Sequence, residues 1–403
     1  MFSIIQRRER NRGWDGLLVL CAANNYDGIK LADQHMAERL SLLTPVLYVD
    51  PPMSPFTARK NPTARAELRR PRLRLLAPGL ARFTPVVQPF PSRRGLTMFT
   101  TALTRLLVRR AAAHLTREVK AVVSAWPLYP VLGSCGERVR AYWAQDDFVG
   151  GAALLGMHPA SLAAGEHKSA SSSDVIIASN PAVANTWRSR GYHPWLIPFG
   201  ADTGAYGAVD AMPKPNDVKL RGPIAGFVGH INSRIDLDLL EAIAGRGISL
   251  LLVGPRDPAT QPKRWSLLLG RENVQWVGPK PFHLLPSYLG AIDVGLVPYG
   301  ASAFNEGSFP LKTLEYLAAG RPVVSTDLPA TRWLATNLIA VGKTPTMFAD
   351  AVETWVRRPR TEREMAERRE FARRHDWATR ATDMLDVIDG AMPRPRDLRT
   401  AQS

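Results

Sequence analysis

Short apolar runs recur along the chain, and segments with helical spacing lie between them. The runs are at 14–23, 45–50, 121–124, 140–143, 174–179, 224–229, 250–254 and 292–297. Runs of this length, alternating with helical segments, are typical of strands that helices cover on both faces of a parallel sheet. The pattern predicts an α/β fold with doubly wound sheets, and 403 residues suffice for two such domains.

One stretch, 295–329, combines a strand, a loop, a short helix and a second strand (GLVPYGASAFNEGSFPLKTLEYLAAGRPVVSTDLP). We expect Ser308 to cap this helix, with unpaired backbone N–H groups at 308–312 that favour an anion at its start. Lys312 adds a positive charge there, and Glu315 follows on the same side. This combination suits a ligand with phosphate and hydroxyl groups. An ordinary ion pair between Lys312 and Glu315 explains the local pattern at least as well.

Composition limits the classes of protein that are compatible with the sequence. No run reaches the roughly 18 apolar residues of a membrane span. Arginines precede the first apolar run, but a polar segment at 24–27 follows it instead of a cleavage site, so we expect no export signal. Cys21 and Cys135 lie far apart, which favours a reducing compartment and excludes a disulfide scaffold or cysteine metal cluster. No Walker loop, dinucleotide fingerprint or zinc spacing occurs.

Positive charge is concentrated in one segment, 59–120. It holds fifteen Arg and Lys residues but only Glu67 and Glu118, and so carries +13 of the net charge of +16. Two acids are too few to pair with these cations, so we predict an anionic partner. A membrane surface ranks first, a merely solvated basic face second and nucleic acid third.

A helix is predicted within this segment, over 97–119. Its apolar stripe comprises Leu103, Leu106, Leu107 and Leu115. Its basic flank comprises Arg105, Arg109, Arg110 and Arg117. Such a helix suits the surface of an anionic membrane, and packing against its own domain is an equal alternative.

Polar residues also follow predicted strands at the ends where open α/β sheets build their sites. Asp146 and Asp147 follow the run at 140–143, and one of them, preferably Asp146, is a catalytic candidate; capping of a turn is the alternative. Gly229 follows the run at 224–228, where a residue without a side chain lets a ligand approach the backbone. Arg234 is a candidate diphosphate ligand, and an exposed capping role is the alternative.

The segment FPLKTLEYLAAGRPVVSTDLP resembles the nucleotide-sugar-binding stretch of GT-B glycosyltransferases. It is most similar to the bacterial subgroup around teichuronic-acid and exopolysaccharide glycosyltransferases. The matching positions are Asn305, Pro310, Leu311, Lys312, Glu315, Tyr316 and Gly320. The opening of the chain is also similar, at 34–37 and 46–52, and 196–202 resembles the segment that closes the first domain, with Phe199 in place of asparagine.

The resemblance implies a GT-B fold, with two Rossmann-like doubly wound domains facing a central cleft. The implied divisions are an acceptor-side domain at 1–202 with a basic insertion at about 53–120, a linker at 203–222, a nucleotide-sugar-binding domain at 223–375, a helix at 376–392 that crosses back to the first domain, and a disordered tail at 393–403.

The implied activity is transfer of a sugar from a UDP- or GDP-linked donor to a lipid-linked or cell-envelope glycan, at the cytoplasmic face of the membrane. No cofactor or metal is expected. The donor-binding candidates are Gly229, His230, Arg234, Arg256, Asn305, Glu306, Ser308, Phe309, Pro310, Leu311, Lys312 and Glu315. Arg105, Arg109 and Arg110 are the candidates on the membrane and acceptor side.

Two departures from the family pattern affect these expectations. The wider retaining group has two glutamates seven residues apart, and the first would fall at Gly307, beside Glu306. The usual Arg-Pro before Gln34 is Ala32-Asp33 here. A non-catalytic GT-B-like subunit that binds membrane or glycan is therefore the main alternative, and a basic nucleic-acid binder is a third that no motif supports.

Overall fold

Two α/β units account for the described residues of the computed structural model, which are 13–56, 62–91 and 95–392. Unit 1 comprises Met1–Ser179, Ala184–Ile197 and Arg380–Ser403, and unit 2 comprises Asn180–Val183 and Pro198–Thr379. The tail predicted at 393–403 lies outside the described residues.

Unit 1 contains an eight-stranded sheet in the order β3-β4-β2-β1-β5-β6-β7-β8. Its strands are β1 (Leu17–Cys21), β2 (Val46–Val49), β3 (Leu73–Ala77), β4 (Leu80–Phe83), β5 (Val119–Ser124), β6 (Val139–Ala144), β7 (Val175–Ala178) and β8 (Trp195–Leu196). Only β3 runs antiparallel to its neighbour. The central strands are wholly buried, as their apolar runs predict.

The helices of unit 1 alternate with the strands, except that no helix lies between β3 and β4 or between β5 and β6 in the described part of the chain. They are α1 (Ala32–Leu40), α2 (Pro62–Leu68), α3 (Thr97–Leu115), α4 (Pro159–Ser172) and α5 (Pro181–Ser189), whose first residues belong to unit 2.

Unit 2 contains a wholly parallel six-stranded sheet in the order β11-β10-β9-β12-β13-β14. Its strands are β9 (Ile224–Val228), β10 (Ser249–Val253), β11 (Val274–Trp276), β12 (Val294–Val297), β13 (Val323–Ser325) and β14 (Ile339–Val341). Strand order reverses direction between β9 and β12, so the carboxyl ends of these strands form the switch point where such sheets bind ligands.

The helices of unit 2 complete the alternation. They are α6 (Thr203–Tyr206), α7 (Leu237–Gly245), α8 (Pro262–Leu269), α9 (Leu285–Ala291), α10 (Ala303–Glu306), α11 (Leu311–Ala318), α12 (Pro329–Leu334), α13 (Pro345–Arg357), α14 (Glu362–Arg373) and α15 (Trp377–Gly390), with 3₁₀ turns at Val209–Ala211 and Phe282–Leu284. From Arg380 onward α15 belongs to unit 1, where Asp389 pairs with Lys120 of β5 at 2.6 Å.

The segment around 53–120 differs from the sequence prediction in three ways. Between 51 and 94 the sequence predicts a long irregular segment with short strands near 73–76 and 84–88. No strand forms at 84–88, and β4 lies just before it. α2 replaces part of a region expected to be irregular, and α3 ends at Leu115 rather than at 119. Pairing of β4 with β2 and β3 fixes the register at 80–83, which the local sequence pattern does not contain. α3 ends at Leu115 because Thr116 adopts an extended conformation.

The predicted apolar stripe of α3 is confirmed at Leu115 and wrong at Leu106, while Leu103 and Leu107 are half-buried. The buried positions are Thr100, Thr104, Val108, Ala111, Ala112 and Leu115, whereas Leu106 is exposed. Threonine can be buried at little cost because its hydroxyl bonds to the carbonyl four residues earlier, as Thr104 Oγ1 does to Thr100 O at 2.7 Å. Among the described residues, none of the helices has the length and apolarity needed to span a bilayer.

Candidate functional site

The carboxyl ends of β9, β10 and β12 meet at one edge of the unit 2 sheet. A Cβ placed on Gly254 would lie 2.0 Å from Gly229 O, and one on Gly229 would lie 3.0 Å from Lys312 Cε. Both glycines also have positive φ, at +134° and +152°. Their loops therefore pack backbone against backbone, and the Lys312 side chain lies directly over Gly229.

The position of α11 is fixed from the sheet. The Tyr316 hydroxyl accepts the Val228 N–H at 2.9 Å, and a Cβ on Gly295 would lie 2.3 Å from the Tyr316 ring. The side chain of Tyr316 is wholly buried. These contacts hold the first turn of α11, and with it Lys312, at the switch point of the sheet.

Lys312 has no carboxylate partner in the described part of the chain. Its Nζ donates to the Tyr299 hydroxyl at 2.5 Å and lies 4.8 Å from the Tyr299 ring centroid and 5.2 Å from that of Phe227. The ion pair with Glu315 that the sequence left open is not formed. Aromatic faces hold the ammonium without neutralising it, so its charge remains available to an anion.

Arg234 is held in the same manner. Its Nε donates to Asn305 Oδ1 at 2.7 Å and its Nη2 to Ser308 Oγ at 2.6 Å. Its guanidinium carbon lies 4.3 Å from the Tyr299 ring centroid and 4.8 Å from that of Phe304. Neutral partners orient this cation, so it is not the exposed cap that the sequence left open.

Two local predictions at the helix start need correction. Ser308 does not cap α11: the cap position is Pro310, which forms no side-chain cap bond. The Ser308 hydroxyl instead accepts from Arg234. The loop predicted at 301–309 contains α10, whose cap Ser302 accepts the Asn305 N–H at 3.1 Å. Asn305 is buried and also donates to Arg234 O and Gly300 O, so it joins the loop to Arg234.

The pKa of His230 is affected by both of these cations. Burial lowers the pKa of His230 below its ordinary value, Arg234 and Lys312 lower it further, and Asp257 opposes them. The lowered pKa favours the neutral imidazole, which can accept one hydrogen bond and donate another.

Arg256 adds a third cation, and a second guanidinium, near Gly254. It lies 5.3 Å from the Trp276 ring centroid, and the Trp276 indole donates to Gly254 O at 2.9 Å. Its Nε is buried and has no partner among the described residues. A buried donor without an acceptor is costly, so this N–H is able to bind an acceptor atom of a ligand.

Glu315 lies one turn after Lys312 and is half-buried. Burial raises the pKa of Glu315, and Lys312 and the Tyr206 hydroxyl, which donates to Glu315 Oε1 at 3.4 Å, act in the opposite direction. The carboxylate has no ion-pair partner among the described residues, so it remains able to accept hydrogen bonds from hydroxyl groups.

The other residues predicted to bind the sugar donor have a less direct place in the site. Phe309 is buried against the Phe199 and Trp333 rings, at 6.3 and 6.2 Å between centroids, and packs in the core of unit 2. Pro310 and Leu311 contribute the backbone at the start of α11. Glu306 is exposed at the end of α10, while the adjacent Gly307 is buried and its carbonyl accepts from Asn180 Nδ2 at 2.7 Å.

In unit 1, the two candidate catalytic acids follow β6. Asp147 Oδ1 accepts the Gly150 N–H at 2.8 Å and closes a turn, and Asp146 beside it is half-buried. The preceding Gln145 donates to Asp33 Oδ1 at 2.6 Å. Asn24 donates to the other Asp33 oxygen at 2.7 Å. The acid loop is thereby tied to the carboxyl end of β1.

Asp33 was missed as a site residue from the sequence. It is wholly buried, and burial raises its pKa while its amide partners oppose the shift. Tyr299, Trp276 and Tyr206 were also missed. The available signal was position, because Tyr299 and Trp276 lie at or just after the carboxyl ends of β12 and β11.

The basic segment is only partly unpaired. Acids from outside it, together with Glu67, pair with several of its cations: Arg82 with Asp50 and Asp27, Arg74 with Glu67, Arg70 with Asp27, and Lys120 with Asp389. The expectation that these residues lack partners is therefore wrong for this group. Arg105 donates to Leu132 O at 3.0 Å, whereas Arg109 and Arg110 are exposed. Arg59, Lys60, Arg93 and Arg94 lie outside the described residues.

Comparison with known proteins identifies similar sequences. Residues 222–358 match the family model "Glycosyl transferases group 1". Over 161 residues the chain is 35% identical to the putative teichuronic acid biosynthesis glycosyltransferase TuaH of Bacillus subtilis (strain 168). This alignment covers 39% of the chain and 40% of that relative, so less than half of either protein is compared.

Solved structures match over nearly the whole chain. Sucrose-phosphate synthase from Thermosynechococcus elongatus has a TM-score of 0.70 at 15% identity and covers 93% of this chain and 98% of its own. Anabaena Alr3699/HepE in complex with UDP and glucose has a TM-score of 0.64 at 12% identity, with 93% and 99% covered. The predicted α/β, GT-B fold is confirmed by these similarities.

Proposed function

We propose that this chain, which has the GT-B fold and a glycosyl transferases group 1 domain at 222–358, is a nucleotide-sugar-dependent glycosyltransferase. It moves a sugar from a UDP- or GDP-linked donor to a lipid-linked or cell-envelope glycan. The observation that carries the proposal is the convergence of Arg234 and Lys312 at the start of α11, held by neutral and aromatic groups only.

The donor diphosphate would bind at this point. Two uncompensated cations and the free N–H groups of a helix start offer charge and hydrogen bonds to the phosphate oxygens. The unpartnered Nε of Arg256 offers one more donor. Glu315 would accept the ribose hydroxyls. These groups are in place before the sugar departs, so they stabilise the negative charge that develops on the leaving diphosphate.

The same cations make a metal unnecessary in this proposal. Arg234 and Lys312 supply the two positive charges that a divalent cation would otherwise bring to the diphosphate. Among the described residues, no group of three or more His, Cys, Asp or Glu side chains is arranged to hold a metal ion.

The acceptor would be activated from unit 1. We assign Asp146 the role of the group that faces the reacting sugar, since Asp147 already closes the turn with Gly150. The contact between Gln145 and the buried Asp33 orients the acid loop. The relative with the teichuronic acid name supports a cell-envelope glycan as acceptor.

The proposed class of acceptor also bears on where in the cell the protein acts. A lipid-linked glycan is reached from the membrane surface, and the exposed Arg109 and Arg110 offer charge for anionic head groups. We therefore propose a cytoplasmic protein that is peripheral on the inner face of the membrane.

Calorimetric titration with UDP and with GDP, followed by turnover with a panel of UDP- and GDP-sugars, tests the proposal. We expect one nucleotide to bind and one of its sugars to be consumed with release of that nucleotide. Absence of binding by either nucleotide contradicts the proposal.

A non-catalytic GT-B-like subunit is the second candidate. Gly307 at the position of the first family glutamate, and the exposure of Glu306, favour it. Nucleotide binding without turnover of any donor in the panel would support this alternative.

A further inference from the structure

The first half of α3 buries two threonines and exposes large apolar side chains, whereas the second half buries apolar residues as an ordinary surface helix does. Thr100 and Thr104 are buried, whereas Met98, Phe99 and Leu106 are exposed by 73%, 61% and 43%. Single exposed apolar residues are common, but several on one helix face mark an interaction surface.

Hydrogen bonds fix this orientation of the first half of α3. Thr100 Oγ1 donates to Pro91 O at 2.9 Å and accepts from Gln88 Nε2 at 2.5 Å. Thr104 Oγ1 donates to Thr100 O. Turning α3 to bury Met98 and Phe99 would break the bonds of Thr100 to Pro91 and Gln88 and leave these polar groups unpaired. The outward apolar face is therefore part of the folded structure.

Two further exposed residues, both aromatic, lie near the start of α3. The rings of Phe56 and Phe90 are 5.5 Å apart between centroids, and their side chains are 45% and 55% exposed. Phe90 has φ of +56°, a conformation that is costly for a residue with a large side chain. Its neighbour Pro91 is the residue bonded to Thr100. We call Phe56, Phe90, Met98, Phe99 and Leu106 the apolar face.

The apolar face continues into positive charge. Helical spacing places Leu106, Arg109 and Arg110 on one side of α3, and both arginines are exposed without an ion pair to any described residue. The sequence has no Asp or Glu at any position from 68 to 117. Apolar side chains beside arginines, without acids, are the chemistry that matches the boundary between lipid tails and anionic head groups.

We propose that the apolar face inserts into the interfacial layer of an anionic bilayer while Arg109 and Arg110 contact lipid phosphates. This deepens, and rests on, the membrane part of the proposed function: α3 is more than an electrostatic docking site, and its contact with the membrane has a salt-resistant, apolar component. A second copy of the chain suits the same face less well, because a two-fold contact would bring the arginines of both copies together.

The test is sedimentation of the full chain with vesicles of 70% phosphatidylcholine and 30% phosphatidylglycerol, at low salt and at 0.5 M salt. Roughly 0.5 M shortens electrostatic attraction to a few ångströms, so retention that remains reports insertion. We expect part of the wild-type protein to remain bound. Met98→Ser with Phe99→Ser should lower partitioning at least tenfold, and Phe99→Trp should retain binding because tryptophan favours the interface.

The matched control is Leu267→Ser, which removes a side chain 75% exposed on α8 of unit 2 and should bind vesicles like wild type. Full release of the wild type by salt, or equal binding by the double serine variant, would overturn the proposal. A wild-type dimer that becomes monomeric in the double variant, measured by sedimentation velocity without vesicles, would assign the face to a second copy. UDP and GDP titrations separate the insertion proposal from the sugar-transfer proposal. If the wild type binds a nucleotide but not the vesicles, only insertion is contradicted. If it binds the vesicles but neither nucleotide, only sugar transfer is contradicted.

Discussion

Arg82 in unit 1 and Arg234 in unit 2 are both cations at the carboxyl ends of parallel strands, but their surroundings differ. Arg82 is almost wholly buried and bonds to Asp50 at 2.7 Å and to Asp27 at 2.5 Å, with Glu67 close by. Arg234 is held by an amide oxygen, a hydroxyl and two aromatic rings. Carboxylates therefore neutralise the charge of Arg82, whereas the charge of Arg234 is oriented by neutral groups and remains available to bind an anion.

This difference distinguishes structural cations from binding cations. Carboxylates neutralise a buried guanidinium, so its removal leaves their charge buried and unpaired. Neutral partners fix geometry alone. We therefore expect variants of the Arg82 cluster to change stability and variants at the start of α11 to change affinity.

The largest expected effect is on stability, at Arg82, the arginine that pairs with carboxylates. Arg82→Met leaves the buried Asp50 without its cation, and we expect the free energy of unfolding to fall by about 3–5 kcal/mol. Urea unfolding measures this loss. Arg70→Met, which removes an exposed partner of Asp27 at 3.3 Å, is the control and should cost less than about 1 kcal/mol. Similar small losses in both variants would mean that Arg82 is not the centre of a buried charge cluster.

The acids of unit 1 extend the comparison from cations to carboxylates. Asp146→Asn should lower turnover by about 10²-fold or more and leave donor affinity unchanged, because an acid or base acts mainly in the transition state. Turnover and calorimetry on the same variant measure the two quantities.

Asp147→Asn is the control for this prediction, since an amide oxygen can still accept the Gly150 N–H and close the turn. A fall in donor affinity alone would make Asp146 a binding group. No change in either quantity would remove it from the site.

On the unpaired side, Lys312→Ala should weaken nucleotide-diphosphate binding by about 1.5–3 kcal/mol, the range for hydrogen bonds to a charged group. Calorimetry with UDP and GDP measures this change, and unfolding should be little affected because no carboxylate loses a partner. Lys263→Ala, which removes an exposed lysine on α8, should bind like wild type. Unchanged affinity in Lys312→Ala would place the diphosphate elsewhere.

The smallest expected effect concerns unpaired cations on the surface. Arg109→Gln with Arg110→Gln should weaken binding to anionic vesicles by about 1 kcal/mol per residue, and nucleotide affinity should not change. Vesicle sedimentation at low salt measures the loss. Lys214→Gln with Arg271→Gln makes the same change in net charge on exposed residues of unit 2. Equal losses in both pairs would indicate an effect of total charge rather than of α3.

The sequence was informative where local pattern and structure coincide. Apolar runs predicted the buried strands, and the leucine spacing predicted α11 with Lys312 in its first turn. It failed where a distant residue decides the local structure. Ser308 has the chemistry of a cap, but Arg234, 74 positions earlier, takes its hydroxyl. No local pattern contains that contact.

The remaining differences have the same origin. Leucines at helical spacing predicted the inner face of α3, yet Thr104 and Thr100, which bonds to Gln88 and Pro91, occupy part of it. Asp33 had no motif, and its role as the partner of Gln145 depends on the pairing of β5 with both β1 and β6, which brings their carboxyl ends together. Tyr299 was predictable only as a residue at a strand end.

The path of the chain through the two units has a consequence for dissecting the protein. Unit 2 is nearly continuous, from Pro198 to Thr379, whereas unit 1 is completed by the last part of α15 and its Lys120–Asp389 pair. A fragment that begins near 198 and stops near 379 therefore retains every described contact around Lys312 and Arg234. A chain shortened only at its C-terminus before 380 loses part of the N-terminal unit, so limited proteolysis at this end should reduce the integrity of the half that is most distant in sequence.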